Sequence, residues 1–493
     1  MADHAVRLSG LVPGAGELAV TGVSLDSRRI EPGDLYAALP GQRTHGARFA
    51  DQAARAGALA VLTDPAGRDL VTADLPVLVV DDPRLVLAEV AAAVHGQPAR
   101  SMRMFGITGT NGKTSTAFLL EAALTALGER VGNVGTVGFR VGGRPLARDR
   151  STVTTPESPD LQRLLADLRD EAATSVAMEV SSHALVLQRV AAITFDVAGF
   201  THLGRDHLDF HGTLEDYFAA KTRLFVDGRS RACVVNIDGE WGQRLADLIR
   251  GQGTPLLTTG EHAKADFRQQ RVQLDSEQRS IVDVATPDGN LTFTVGMPGA
   301  FNVANAVTAS AMVAAAGLDV PRAVTGFATA AVPGRMQRVP LGPHAPKVLV
   351  DFAHTPQAVA AALAALPAPR IAVLGAGGDR DPGKREPMGA AAADNAELVV
   401  VTDDNPRSEV PEQIRERVLA GARQAGVAEV VDGGDRRGAI ALALARATPE
   451  TWVAVLGKGH ETGQDIGGVI RDFDDVAVVQ DEWRKLSQVS ADA

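Results

Sequence analysis

Apolar and polar positions along the 493 residues switch repeatedly between the period of a strand and that of a helix. In the first hundred residues, Leu18–Leu25, Ala58–Thr63 and Val77–Val80 are apolar runs of strand length, and Arg84–His95 has helical spacing. Gly96-Gln97-Pro98 then breaks the pattern and marks a boundary. From Ser101 onward, strands are predicted at Met104–Ile107, Ser175–Val180, Asp196–Phe200 and Ala232–Ile237. They alternate with helices at Thr114–Leu127, Pro159–Ala172, Thr213–Phe225 and Trp241–Arg250. Such alternation predicts a parallel sheet covered by helices. Residues 266–297 change to period-two patterning around Pro287-Asp288-Gly289, the mark of an antiparallel hairpin, and a helix follows at Phe301–Ala316. Beyond Val332–Arg335 and the Pro-rich run 340–346, strands are predicted at Lys347–Asp351, Arg370–Leu374, Ala396–Thr402, Val427–Val431 and Trp452–Leu456. A charged helix spans Pro411–Ala425, and the whole reads as a doubly wound unit.

Composition narrows the class. The length suggests about three domains, and few aromatics among many Ala and Val residues suit tightly packed α/β layers. A net charge of −11 argues against a nucleic-acid or anionic-membrane partner. Cys233 is the single cysteine, so no disulfide is expected within the chain. Residues 1–20 carry no export signal and no apolar run has the ~20 residues that span a bilayer, so a cytoplasmic protein is expected.

Phe105–Ser115 carries the clearest chemistry. Glycines at 106, 109 and 112 lie between an apolar strand and an Ala/Leu-rich helix, followed by Lys113, Thr114 and Ser115. A turn of this kind aims backbone N–H groups and a helix N-terminus at a phosphate chain, with the lysine on the outer phosphates and the threonine hydroxyl on Mg²⁺. Ile107 stands where the usual loop has its first glycine. The order of strand, glycines, Lys-Thr and helix predicts nucleoside triphosphate binding.

Ligands of open α/β sheets bind beyond the carboxyl ends of the strands, so the polar residues there are the next candidates. Glu179 closes an apolar strand ahead of Ser181, Ser182 and His183, and is suited to a Mg²⁺ ion. Thr201–His211 gathers three His, two Asp and an Arg, and His207, between Asp206 and Asp209, is a second candidate ligand. The spacing matches no structural zinc pattern. Lys221 falls on the apolar face of its helix, with Tyr217, Phe218, Leu224 and Phe225. An ammonium there must snorkel, pair or lose its charge, and side-chain physics alone favours snorkelling. A neutral amine is also able to take up CO₂ as a carbamate. In the last region Asp351, His354, Arg380, Asp404, Arg407 and Glu461 stand at successive strand ends, offering carboxylates to an ammonium and guanidinium forks to a carboxylate. Gly375-Ala376-Gly377 resembles a dinucleotide fingerprint, but Arg380 replaces its third glycine.

Gly109–Thr114, Glu179–His183, Asp206–His211, Phe301–Asn305 and Gly457–Glu461 resemble, in order and over essentially the whole chain, the Mur ligases of peptidoglycan synthesis. The resemblance implies an α/β protein of three domains. These are a small N-terminal UDP-binding domain (1–99), a central P-loop NTPase-like domain with a mostly parallel sheet (100–333) and a C-terminal Rossmann-like domain for the amino acid (334–493). It implies ATP at Gly109, Thr110, Asn111, Gly112, Lys113, Thr114, Ser115, Asn302 and Arg335. It implies a UDP-N-acetylmuramoyl dipeptide at Leu25, Ser27, Gln42, Arg43, Thr44, Thr154, Thr155, Ser181 and Arg189. Asp404-Asn405-Pro406-Arg407, with Arg380, Gly457 and Glu461, resembles the pocket of the members that take meso-diaminopimelate. Lys221 matches the family's carbamylated lysine, which displaces the snorkelling reading. Lys113, Glu179, His207 and Lys221 become the implied catalytic set, and Thr114, Glu179, His207 and the Lys221 carbamate the Mg²⁺ ligands. This chain departs from the family at His202, where Asn is common, and at Leu187, where a polar residue is usual.

The implied reaction is an ATP-dependent amide ligation by way of an acyl phosphate, with small-molecule substrates and a monomeric chain. Closure of the lobes is expected to shield the acyl phosphate from water. A lysine-adding member, a folylpolyglutamate synthase-like ligase and a nucleotide-switched binding protein are the competing readings.

Overall fold

Apolar residues that are buried on both faces build parallel strands, and the run Arg103–Thr108, inaccessible along nearly its whole length, lies inside the largest sheet. In this computed structural model, residues 5–41, 44–146, 153–204, 206–226, 228–275, 279–426 and 428–491 are described. They form two compact units. One comprises Met1–Val272, Val282–Thr294 and Ala304–Phe327; the other comprises Gln273–Ile281, Val295–Val303 and Ala328–Ala493.

In the first unit the central strand order is Val131–Gly135, Ser175–Glu179, Arg103–Thr108, Phe195–Phe200, Ser230–Asn236, Leu256–Gly260. All these neighbours run parallel. From Arg103–Thr108 the chain passes first to Val131–Gly135, two places away, returns to fill the gap with Ser175–Glu179, then crosses to Phe195–Phe200 on the other side. The carboxyl ends of Ser175–Glu179, Arg103–Thr108 and Phe195–Phe200 therefore meet at a topological switch, where such sheets bind ligands. Helices Lys113–Ala126, Ser158–Asp170, Leu214–Val226 and Glu240–Gln252 agree with expectation to within two residues at each end. The hairpin around Pro287-Asp288-Gly289 is present as Ser280–Thr286 and Gly289–Val295.

Val131–Gly135 is a strand that periodicity does not reveal. Its Val-Gly-Asn-Val-Gly sequence has weak strand preference, yet it is fully buried, and Asn133 Nδ2 donates to Glu121 Oε2 at 2.8 Å. Burial and a satisfied amide override propensity there. A small parallel sheet at the start of the chain pairs Gly22–Ser24, Asp34–Ala37, Ala60–Thr63 and Val77–Val79. The predicted strand Leu18–Leu25 divides into Ala19–Val20, which pairs with Val6–Arg7, and Gly22–Ser24. Asp34–Ala37 was not expected, being four residues long and opened by a carboxylate that accepts from Glu31 N at 2.9 Å.

The second unit has the strand order Gln337–Val339, Lys347–Asp351, Trp452–Leu456, Arg370–Leu374, Leu398–Thr402, Glu429–Gly434. Only the first pairing is antiparallel. The last strand begins two residues and ends three residues beyond the predicted Val427–Val431, and Val427 itself is outside the described residues. Apolar clusters cover both faces of this sheet.

Phe195 leads the strand into the switch point and is fully buried in the core of the first unit. Phe195→Ala is expected to lower stability by about 3–5 kcal/mol, read from urea unfolding; a loss under about 1 kcal/mol would mean the site collapses around the deletion.

Candidate active site

The turn after Arg103–Thr108 is tied down by the residues that follow the neighbouring strand. Thr110 N donates to His202 O at 2.8 Å, Thr201 Oγ1 donates to Asn111 O at 2.6 Å, and Gly204 N donates to Thr110 Oγ1 at 2.9 Å. Gly112 adopts φ +85°, and a Cβ there would lie 2.4 Å from Asn305 Oδ1. Helix Lys113–Ala126 starts immediately afterwards, with Thr114 and Ser115 buried in its first turn and Asn111 exposed ahead of it. The result is a rigid loop at a helix N-terminus, the arrangement that binds phosphate.

Lys113 Nζ donates to Gly109 O and to Thr110 O, both at 2.9 Å. Lys221 Nζ donates to the same Gly109 O at 2.9 Å and stands 4.5 Å from the centre of the Tyr217 ring. Lys221 is only 1 % exposed, so the side chain does not snorkel. Snorkelling fails because helix Leu214–Val226 presents this position to the back of the loop, with no path to solvent for a four-carbon stem. Burial, and then the charge of Lys113, hold the Lys221 ammonium well below the ordinary lysine range, against the pull of Asp206. Burial first, then Lys113 and Lys221, push the His202 imidazole down as well. Tyr217, whose hydroxyl lies 3.3 Å from Thr110 Oγ1, is pushed up to about 12 by burial.

Glu179 is buried at the end of its strand, and its carboxylate accepts from Thr136 N at 2.8 Å and from Thr136 Oγ1 at 3.2 Å. Thr136 Oγ1 is also 3.2 Å from Thr154 Oγ1. Thr155 Oγ1 donates to Glu179 O at 2.9 Å and accepts from Ser181 N at 3.1 Å, while Ser181 Oγ caps helix Ser182–Val186. Arg189 donates to Thr155 O at 2.9 Å and forks onto Glu157 Oε1 at 2.7 and 3.0 Å. Glu179, Thr154, Thr155, Ser181 and Arg189 thus share one hydrogen-bonded cluster. His207 has φ +51° and its ring packs edge-on to His183 at 4.9 Å, beside Tyr217 at 6.2 Å. Arg205 and the side chain of Asp209 lie outside the described residues.

Among the described residues no group of three or more His, Cys, Asp or Glu is arranged to hold a metal ion. The oxygens of Thr114 and Glu179 are nevertheless the hard donors that Mg²⁺ takes. Each Glu179 oxygen accepts a single bond from Thr136 and keeps further lone pairs. The donor set fits Mg²⁺.

Near the start of the chain, Leu25 packs on the small sheet's core and Ser27 Oγ donates to Gln52 Oε1 at 3.0 Å. Thr44 is exposed and accepts from Gly41 N at 3.1 Å, whereas Gln42 and Arg43 lie outside the described residues.

The remaining candidates belong to the second unit. Asn302 Nδ2 donates to Pro298 O at 2.8 Å, and the Arg335 guanidinium stacks on Phe352 at 4.6 Å. Asn405 Nδ2 donates to Asp404 Oδ1 at 3.1 Å and to Glu461 Oε2 at 2.8 Å, and Asn405 Oδ1 accepts from Asp465 N at 2.9 Å. Arg407, at φ +53°, donates from Nη1 to Gly378 O at 2.6 Å. Pro406 is buried beside the Gly378 turn and Arg380 is exposed. Gly457 abuts the Asp404 carboxylate.

Sequence reasoning passed over Thr136, Glu157, Thr201 and Lys384. Thr136 follows the unforeseen strand, and Glu157 shows its role only through its partners, Arg189 and Arg84. Lys384 is half-buried; burial lowers its ammonium, Asp404 and Asp381 raise it, and Arg380 and Arg407 add to the lowering.

Comparison with known proteins gives a consistent result. Residues 19–95 match "Mur ligase family, catalytic domain", residues 107–313 match "Mur ligase middle domain" and residues 334–459 match "Mur ligase, glutamate ligase domain". The chain is 47 % identical over 495 residues to the UDP-N-acetylmuramoyl-L-alanyl-D-glutamate–2,6-diaminopimelate ligase of Streptomyces avermitilis, covering 98 % of this chain and 96 % of that one. A solved structure of a ligase bearing the same name matches at 30 % identity with a TM-score of 0.73, over 98 % of this chain and 100 % of the other. Folylpolyglutamate synthase of Mycobacterium tuberculosis, complexed with ADP and AMPPCP, shares the fold at 20 % identity with a TM-score of 0.60, over 76 % of this chain and 92 % of its own. Among the described residues no helix is long and apolar enough to cross a membrane.

Gly112→Ala places a Cβ against Asn305 and strains a left-handed residue, at a cost of about 1–3 kcal/mol. Nucleotide affinity measured by titration calorimetry is expected to fall at least about tenfold; wild-type affinity would remove this loop from the nucleotide site.

Proposed function

This chain belongs to the Mur ligase family, and on that premise we propose that it is the ATP-dependent ligase that adds meso-2,6-diaminopimelate to UDP-N-acetylmuramoyl-L-alanyl-D-glutamate. The amino-acid choice is carried by one observation: a guanidinium, Arg407, and two carboxylates, Asp404 and Glu461, stand on the loops after the two strands that flank Arg370–Leu374, joined through Asn405. Diaminopimelate has an ammonium and a carboxylate at each end. Carboxylates such as Asp404 and Glu461 suit the distal ammonium, and the fork of Arg407 suits the distal carboxylate, which lysine lacks.

In this reading residues 1–99 hold the uridine nucleotide, 100–333 hold ATP and 334–493 hold the amino acid. Gly109–Ser115 cradle the triphosphate, with Lys113 turning from its loop carbonyls to the outer phosphates, and the family resemblance assigns Asn302 and Arg335 to the nucleotide as well. Leu25, Ser27 and the 42–44 loop take the UDP moiety, while Thr154, Thr155, Ser181 and Arg189 orient the peptide. The γ-carboxylate of the D-glutamyl residue attacks the terminal phosphoryl group, a step governed by positioning and charge neutralisation. The acyl phosphate then accepts the amine of diaminopimelate, and the tetrahedral adduct expels phosphate. Thr114, Glu179, His207 and a carbamate on Lys221 would hold Mg²⁺, which supplies charge neutralisation on the phosphates when bound. The chain acts as a cytoplasmic monomer on these small molecules.

A folylpolyglutamate synthase-like activity is disfavoured by the family match over residues 19–95 and by Asp404–Arg407. A nucleotide-switched binding protein would release phosphate without a second substrate. The decisive assay combines ATP, Mg²⁺, the UDP-dipeptide and either diaminopimelate or lysine, with product mass as readout. The expected product carries diaminopimelate; a lysine adduct formed equally well would overturn the amino-acid assignment.

Arg407→Ala is expected to raise KM for diaminopimelate at least about tenfold, the loss of a charge-assisted bond, with ATP and UDP-dipeptide values near wild type. Unaltered discrimination against lysine would remove Arg407 from the pocket. Lys221→Ala is expected to be inactive and partly restored by small carboxylates such as acetate or formate; wild-type activity without them would exclude the carbamate.

A further inference from the structure

We propose that Arg436 is a positioning residue for the amino-acid pocket, holding in register the two loops that carry Asp404 and Gly457–Glu461. The inference rests on the pocket reading given above and adds a residue that touches no substrate. Arg436 opens helix Arg436–Arg446 behind the Asp435 cap, and its side chain is 0 % exposed. Its guanidinium forks onto Asp475, first residue of the C-terminal helix and equally inaccessible, with Nε–Oδ1 and Nη2–Oδ2 both 2.7 Å. The remaining N–H groups point toward the sheet. Nη2 donates to Leu456 O at 3.0 Å and Nη1 to Asp403 O at 3.5 Å.

Those carbonyls are one residue short of Gly457 and Asp404. Leu456 ends the strand Trp452–Leu456 and Asp403 follows the strand Leu398–Thr402, and these strands flank Arg370–Leu374 on opposite sides. One planar group therefore reaches across the carboxyl end of an intervening strand and fixes the loops on either side of it. The contact it maintains is close. Gly457 adopts φ +113°, and a Cβ there would fall 2.3 Å from Asp404 Oδ2. From Asp404 the order passes through Asn405 Nδ2 to Glu461. A displacement of either carbonyl would move both carboxylates away from the substrate ammonium. Lys458 Nζ, which is fully buried and bonds Gly463 O, holds the second loop from its other side.

Stability alone is a poor reason for such a group, because a buried ion pair can often be exchanged for apolar residues of similar volume without loss. A lysine would keep the charge but not the planar fork that spans two carbonyls and a carboxylate at once.

The test uses the full chain with Arg436→Lys and the double variant Arg436→Met/Asp475→Leu, which removes both buried charges together. KM is measured for diaminopimelate, ATP and the UDP-dipeptide, with a urea midpoint for each protein and Arg407→Ala alongside. The double variant is expected to raise KM for diaminopimelate about tenfold while the ATP and UDP-dipeptide values stay within about twofold. Arg436→Lys should fall between it and wild type, and decides the matter where the double variant does not fold. Wild-type KM for diaminopimelate in a folded variant, or all three KM values rising together, would overturn the proposal. If Arg407→Ala raises that KM and the Arg436 variants do not, the positioning role fails and the pocket stands; if neither does, both fail.

Discussion

A single carbonyl oxygen organises the nucleotide half of this protein. Gly109 O receives the ammonium groups of Lys113 and Lys221, each at 2.9 Å. Two positive charges sharing one acceptor in a desolvated pocket repel strongly, which disfavours the charged form of the more buried amine. Lys221 is the better-buried partner, and its folded environment penalises the charged form. The shift favours the neutral amine, the form that the proposed carbamate requires. The proposed phosphate loop and the residue behind it are thus coupled through one carbonyl, with Lys113 at the helix start and Lys221 buried beneath it.

Glu179 follows a related logic. Its carboxylate is buried, and both of its oxygens are engaged by the backbone and hydroxyl of Thr136, which fixes their orientation. Thr155 then bridges from Glu179 O to Ser181 N, and Arg189 reaches back to Thr155 O. The residues proposed to face the peptide and the candidate metal ligand are parts of one network. Disturbing any member should be felt by the others.

The second unit poses a different problem: how loops from separate strands hold opposite charges close together, as the proposed amino-acid pocket requires, without collapsing onto one another. Asn405 stands between Asp404 and Glu461 and donates to both. Arg407 is turned by its positive φ toward the Gly378 carbonyl, and its backbone pairs with Asp465 and Gly467. Beneath them lie fully buried cations whose hydrogen bonds end on loop carbonyls. The pocket's charges are separated by neutral donors and anchored from below.

The chain's pattern was enough to predict most of the parallel strands of both sheets from Arg103 to Leu456, though not Leu256–Gly260, together with the glycine loop and the strand-end candidates, because periodicity and glycine spacing are local properties. It did not reveal Val131–Gly135 or Asp34–Ala37, whose strand character comes from burial between layers. Nor did it reveal Thr136, Glu157 or Arg436, polar residues whose importance lies in partners 43, 32 and 39 positions away. Lys221 marks the division most sharply. Its place on an apolar helix face was readable from spacing. That its stem has no route to water and its amine rests on Gly109 O was decided by packing a helix against a loop 112 residues distant. Desolvation and charge repulsion are properties of that assembled space, and no local stretch of sequence contains them.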